Sequence, residues 1–401
     1  MQPQQGILSG LRVVEVATYI AAPAAATILA DFGAEVIKVE RPPHGDPFRY
    51  LYLQPPLPPS EINYTFLLDG RNKQSIALNI ASPAGREALF KLVATADIYI
   101  TNYQPAVLDK LRLRYEDLAP GNPRLIFAHL TGYGETGPDV DRPGYDMTAY
   151  WARSGLMDSL HDGEAGPSIS VCGMGDHPSA MSVFAGIMLA LYDRQRTGLG
   201  TKVSSSLLAN GVWSNSSMVQ AALCGAPAHE HTRRAAAINL LVNHYVTRDG
   251  KRFQLCAIQP AEDWPRFCRA LGREDLIADA RFATNAARGE NAAKLVAIAD
   301  AIFASRDMAE WREIFARHSL AWGPVNRTID APDDEQMAAA GVFREMDHPR
   351  HGRQRIVDPP VHLASTVKAE PRPAPEVGEH TAGILRSLGY DEKEIEELSK
   401  A

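Results

Sequence analysis

The sequence predicts an α/β protein organised around a doubly wound parallel sheet. Short β-branched runs alternate with helical stretches through the first 130 residues, which implies parallel strands joined by crossovers. Those runs end in polar or glycine turns, the position where such sheets hold their ligands. The length of 401 residues allows one large core and a second, smaller one.

Taken in order, "LRVVEVATYIAAPAAATILADFGAEVIKVERP" reads as strand, helix, strand. Val13, Val14 and Val16 form the first strand, Pro23 suits the first turn of the helix "AAATILADF", and Gly33 suits its C′ position. "EVIKVE" returns as the second strand. "QSIALNI" is a third, and Ser82-Pro83 is an N-cap and N1 pair opening the helix "AGREALFKLVATA". "DIYITN" and "RLIFAHLTG" are further short strands. The strand ends are Ala17-Thr18-Tyr19, Glu40-Arg41, Leu78-Asn79, Asn102-Tyr103 and Thr131-Gly132-Tyr133.

Helices follow over about 178–222, so residues 1–222 are expected to form the large domain's first segment. The turn-rich "CGAPAHEHTRR" marks a boundary. A smaller α+β domain over 223–330 then begins with a strand pair turning at Asp249-Gly250. Residues 331–401 are proline-rich and mostly extended, and close with two short helices.

A hydrophobic share of 45%, a charged share of 22% and a net charge of −7 describe a soluble globular chain. They give no general electrostatic reason to bind nucleic acid or an anionic membrane. "MQPQQGILSG" lacks the basic-then-apolar signature of a secretory signal, and no apolar run reaches the ~20 residues of a membrane span, so a cytoplasmic location is expected. Cys172, Cys224, Cys256 and Cys268 form no CxxC pair and are expected to play structural parts.

No metal site is expected, because "HEH" at 229–231 has the wrong spacing for two ligands on a helix. Nicotinamide binding is not expected either: the first βα turn, "TYIAAPAAA", has no glycine to admit a pyrophosphate. No G-x-S-x-G elbow supports a serine hydrolase. Arg41, Arg71, Lys73 and Lys110 flank strand ends and together suit an elongated phosphorylated ligand, although each alone reads as a surface charge.

Asp176, in "VCGMGDHPSAMSVFAGIMLALYDRQRTGLG", precedes a long apolar helix and reads first as its N-cap, with Pro178 just inside. The run Gly173-Met174-Gly175 adds a second reading. It lets a substrate approach the carboxylate, and its N–H groups, with that of Gly132, suit a developing oxyanion. A carboxylate with an ordinary pKa of about 4 is ionised at neutral pH and serves as an acyl-accepting nucleophile.

Several long segments, in order, are similar to the class III CoA transferases, the family of formyl-CoA transferase, carnitine CoA transferases and α-methylacyl-CoA racemase. They are "LSGLRVVEVATYIAAPAAATILADFGAEVIKVERPPHGDPFR", "GRNKQSIALNIASPAGREALFKLVATADIYITNYQPAVLDKL", "PRLIFAHLTGYGETGP", "GDHPSAMSVFAGIMLALYDRQRTGLGTKV", "AWGPVN" and "VGEHTAGILRSLGY". The resemblance implies that Asp176 becomes acylated. It also implies a coenzyme A site near Tyr19, Ile20, Ala21, Arg41, Leu78, Asn79, Asn102, Tyr103, Gln104, Lys110, Thr131, Gly132 and Tyr133. It further implies an interlocked homodimer whose Rossmann-like large domain is built from both ends of the chain.

Ile20 replaces a polar residue of some members, Thr131 replaces a lysine, and "CGAPAHEHTRR" offers no counterpart of the glycine-rich loop of formyl-CoA transferase, which points away from formyl and oxalate. Tyr145 stands where racemases of the family carry histidine, and a phenol of pKa about 10 is a poor base, so transfer ranks above racemisation. Tyr145, Tyr150 and Trp151 suit a roomy acyl pocket or, equally, core packing. A non-catalytic acyl-CoA binder, with Asp176 only a cap, is the remaining alternative.

Overall fold

The computed structural model describes residues 6–161, 166–228, 231, 233–237 and 239–400. The chain divides into two compact units, one of Met1–Asp158, Ile169–Ala226 and Ala339–Ala401, the other of Ser159–Ser168 and Pro227–Ala338.

The larger unit holds a six-stranded, wholly parallel sheet: β1 (Arg12–Val16), β2 (Glu35–Glu40), β3 (Lys73–Ala77), β4 (Ile98–Thr101), β5 (Ile126–Thr131) and β6 (Lys202–Ser206). The spatial order is β3-β2-β1-β4-β5-β6, so the winding reverses between β1 and β4. Both faces are covered, which is why β1, β2, β4 and β5 read as near-continuous apolar runs. On one face lie the helices Ala21–Asp31 and Asp176–Thr197. All eleven residues of the first are buried, and its alanines let the second helix pack close. On the other face lie Pro83–Ala94 and the helix pair Thr381–Ser387 and Glu392–Lys400.

The Ser82 hydroxyl accepts the Gly85 N–H at 3.1 Å, with Pro83 in the first turn, as the sequence predicts. β6 was not foreseen: "KVSSS" carries little apolar pattern, and it joins the sheet as a half-buried edge. At the opposite edge the C-terminal segment covers β3. Ser75 Oγ accepts the Gly378 N–H at 2.9 Å, Thr381 Oγ1 accepts the Ala77 N–H at 2.9 Å, and Asn72 Oδ1 accepts the Arg372 N–H at 2.8 Å. The stretch expected to be merely extended also contains the antiparallel pair β10 (Phe343–His348) and β11 (Gly352–Val357).

The smaller unit carries an antiparallel sheet, β7 (His244–Val246), β8 (Arg252–Leu255) and β9 (Trp322–Pro324). Its first hairpin turns at Asp249-Gly250, where Gly250 takes φ 74° and the Thr247 N–H meets the Lys251 carbonyl at 2.9 Å. Helices bury Trp311, Phe267, Phe303 and Phe315 against Phe253. Cys268 lies in this core, but Cys172, Cys224 and Cys256 are exposed, so the structural part expected for all four fits Cys268 alone. Of "HEH", His229 and Glu230 lie outside the described residues. Among the described residues no helix is long and apolar enough to cross a membrane.

Candidate active site

Where the strand order reverses, the ends of β1 and β4 are clasped. Asn102 accepts the Thr18 N–H at 3.0 Å and donates to the Thr18 carbonyl at 2.7 Å. The next residue, Tyr19, holds φ 63°, a conformation costly for a bulky side chain. Its N–H is fixed on Asp46 Oδ1 at 3.1 Å, and Asp46 also accepts the Phe48 N–H at 2.9 Å. Beneath them Lys38 is wholly enclosed, 2.8 Å from Asp46, 2.5 Å from Glu15 and 3.0 Å from the Ala17 carbonyl. Lys73 reaches the same Glu15 at 2.7 Å. Buried charges therefore support the crevice from below, and each is paired.

A cavity of about 740 Å³ opens above this base. Thr18, Tyr19, Ile20 and Ala21 line it from the β1 end, and Asn102, Tyr103 and Gln104 from the β4 end. Thr131 and Gly132 follow from β5, and Tyr145, Asp146 and Asp176 from the opposite wall. Leu51 and Arg142, for which the sequence raised no expectation, also line it, and so does Cys172, expected only to play a structural part. The signal for Arg142 was the turn "DRPG", whose distance in sequence from any strand end hid it.

Asp176 is the first residue of its helix, and Gly175 holds the cap position. The N-cap reading is therefore corrected. The carboxylate that does satisfy N–H groups there is Asp146, from a π-helical turn over Asp146–Ala152. Its Oδ2 accepts from Gly173 at 3.0 Å and from Gly175 at 3.3 Å. These two N–H groups are thereby occupied, contrary to the expectation that they face an oxyanion. Gly175 also rests on the Tyr150 ring, where a Cβ would come within 2.6 Å of Cγ.

Burial, then the Asp146 charge, with Asp69 adding to it against His177, pushes Asp176 up to about 7. The expectation of an ordinary carboxyl of about 4 is corrected accordingly: near neutrality Asp176 is poised between its two forms. Its neighbour His177 lies 3.3 Å from both Asp69 oxygens, with Nδ1 3.1 Å from the Gly173 carbonyl. Burial alone would lower the imidazole; the Asp69 hydrogen bonds and charge outweigh it and raise it to about 9.

The remaining predicted residues are dispersed. Arg41 and Lys110 are exposed and lie off the cavity wall. Leu78 is buried in the core, and the Asn79 carbonyl accepts from Ser82 at 2.8 Å. Tyr133 packs on the core beneath Arg142. Tyr145 meets Tyr19 edge to face with ring centres 5.8 Å apart. Tyr150 is buried with its hydroxyl 2.6 Å from Ser214 Oγ, and Trp151 packs on the same core, so these two do not line the cavity. Arg71 and Lys73 are not free for a phosphate: Arg71 is buried 2.6 Å from Asp31, and Lys73 is held by Glu15.

Asp146→Asn separates the two effects of Asp146. The amide keeps an acceptor but removes the charge facing Asp176. We expect kcat/KM to fall about tenfold above pH 8 as the loop loosens, and the acidic limb to move down by about one pH unit. A pH–rate profile that drops uniformly with an unmoved midpoint would reduce Asp146 to scaffolding.

Residues 8–381 match CoA-transferase family III. The cinnamoyl-CoA:phenyllactate CoA-transferase of Clostridium sporogenes is 36% identical over 407 residues, covering 100% of this chain and 98% of that protein. The (R)-2-hydroxy-4-methylpentanoate CoA-transferase of Clostridioides difficile is 33% identical over 391 residues, 97% of each. The crystal structure of a CAIB/BAIF family protein from Brucella suis superposes with a TM-score of 0.83 at 29% identity, covering 96% of this chain and 100% of that one.

Proposed function

Because the chain belongs to CoA-transferase family III, and is an enzyme moving CoA between an acyl-CoA and a carboxylic acid, we propose that Asp176 is the group through which CoA passes. One observation carries this reading: a carboxylate inside the first turn of its helix, not at the cap, poised near neutrality and facing a cavity large enough for an extended ligand. Ionised Asp176 attacks the donor thioester carbonyl, forming a mixed anhydride and releasing CoA thiolate. The thiolate attacks the aspartyl carbonyl, which frees the donor acid and leaves an aspartyl-CoA thioester. The acceptor carboxylate attacks that thioester, giving a second anhydride and thiolate again. The thiolate then attacks the acceptor's acyl carbon, which yields the new acyl-CoA and restores Asp176.

The loop pinned by Asp146 fixes Asp176 for these attacks, and the Gly132 N–H remains our choice of oxyanion donor. The CoA moiety lies along Tyr19–Ala21, Asn102–Gln104 and Thr131–Gly132, with Arg41 and Lys110 reaching its phosphates from outside the cavity wall. The two relatives are named for acids with aryl or branched side chains, which supports acids of that class here. A homodimer is supported by large apolar side chains left in the open, such as Leu189, Trp213 and Leu223.

The test is a panel of acyl-CoA donors and carboxylic acids assayed for exchange, with a 2-methylacyl-CoA in deuterated solvent beside it. We expect CoA exchange and no incorporation of deuterium at the α-carbon, since Tyr145 stands where racemases of the family carry histidine. Rapid α-exchange without transfer would favour the racemase. CoA binding with neither reaction would favour a binder.

A further inference from the structure

A second cavity, about 330 Å³, lies against the same two helices and within the size range of small-ligand sites. The first cavity takes Ile20 and Ala21 from the start of the helix Ala21–Asp31, and the second takes Ala24 and Ile28, one and two turns further along. Across from them the helix Asp176–Thr197 divides in the same way: Asp176 faces the first cavity, while His177, Ala180 and Met181 face the second. Asp176 and His177, consecutive at the start of this helix, thus line one space each.

Val357, Pro359 and Pro360 complete the lining of this second space, with Val357 at its exposed mouth. Its ionisable groups are committed to partners. His177 lies 3.3 Å from Asp69, Arg71 lies 2.6 Å from Asp31, and Asp358 lies 2.5 Å from Lys368. A second charged group on a ligand would lose its hydration there and meet only charges already neutralised at short range, whereas a hydrocarbon gains by burial.

We propose that this second cavity receives the acyl side chain of the substrate, an uncharged alkyl or aryl group, while the first holds the CoA moiety. The inference rests on Asp176 being the acyl-accepting carboxylate, since only that reading puts the thioester carbon next to His177, which lines the second space. It replaces Tyr150 and Trp151, which point their rings into the core, with Ala24, Ala180, Met181 and Val357 as the side chains that set acyl specificity.

The test mixes the full-length protein and hydroxylamine with acetyl-CoA, 4-methylpentanoyl-CoA, 3-phenylpropanoyl-CoA or succinyl-CoA, and follows hydroxamate at Asp176 by peptide mass analysis. The two bulky apolar donors should acylate at least about tenfold faster than acetyl-CoA, and succinyl-CoA more slowly than either. Val357→Trp fills the exposed mouth, where folding is not at stake, and should cut the bulky-to-acetyl rate ratio about tenfold or more. Met181→Ala widens the space and should raise that ratio about threefold or more for 3-phenylpropanoyl-CoA. A ratio within about twofold of the parent's in both variants, or a preference for succinyl-CoA, overturns the pocket while leaving Asp176 in its part. No hydroxamate with any donor overturns the nucleophile itself, and the pocket with it.

Discussion

Asp176→Asn is expected to lower transfer by roughly 10³-fold or more while leaving a folded protein, because an amide cannot form the anhydride. The stability of the variant provides a second, independent reading. The carboxyl stands at about 7 in the folded chain against an ordinary 3.8. Between those values the folded protein holds a proton that the unfolded chain has lost, so stability falls as pH rises, and the cost is complete above pH 7. Asparagine removes that cost. The variant should therefore exceed the parent at pH 8, by on the order of 2 kcal/mol once solvent at the cavity mouth is allowed for, and match it near pH 4. Thermal melts across that range measure it. Retained turnover, or a variant less stable than the parent at pH 8, would return Asp176 to an ordinary helix residue.

Lys38→Met should cost about 3–5 kcal/mol, the penalty for stripping the partner from enclosed carboxylates. Glu15 keeps Lys73, but Asp46 loses the ammonium at 2.8 Å. Asp46 in turn fixes the left-handed Tyr19, so the damage reaches the crevice. Urea unfolding gives the stability, and CoA titration of whatever fraction remains folded gives the local effect. A loss under about 1 kcal/mol would mean that the charges beneath the crevice contribute little.

Those two residues also mark what local sequence patterns reveal and what they hide. β1 and β2 were legible from valines and isoleucines, and the Ser82-Pro83 and Asp249-Gly250 boundaries from their own chemistry. The same strands carry Glu15 and Lys38, whose burial depends on Asp46 and Lys73, brought together only by the fold. Arg71 and Lys73 were read as ligand-facing because basic groups usually reach solvent; Asp31 and Glu15 hold them inside. Asp176 stood out in the sequence, but Asp146 did not, since its bonds to Gly173 and Gly175 span 27 and 29 residues. β6 was missed because three serines hide an edge strand from any hydropathy rule.

The cover that residues 372–381 lay over β3 has a consequence for synthesis on the ribosome. The parallel sheet's six strands have all emerged once Ser206 has, yet β3 lacks its cover until some 170 residues later, and Leu385 and Ile395 complete the core beneath it later still. In the interval residues 227–338 emerge, which supply most of the second unit and its aromatic core. The nascent chain thus finishes its inserted unit before the surrounding one is sealed. The larger unit, which carries Asp176, is completed last, through a closure between sequence segments made far apart in time.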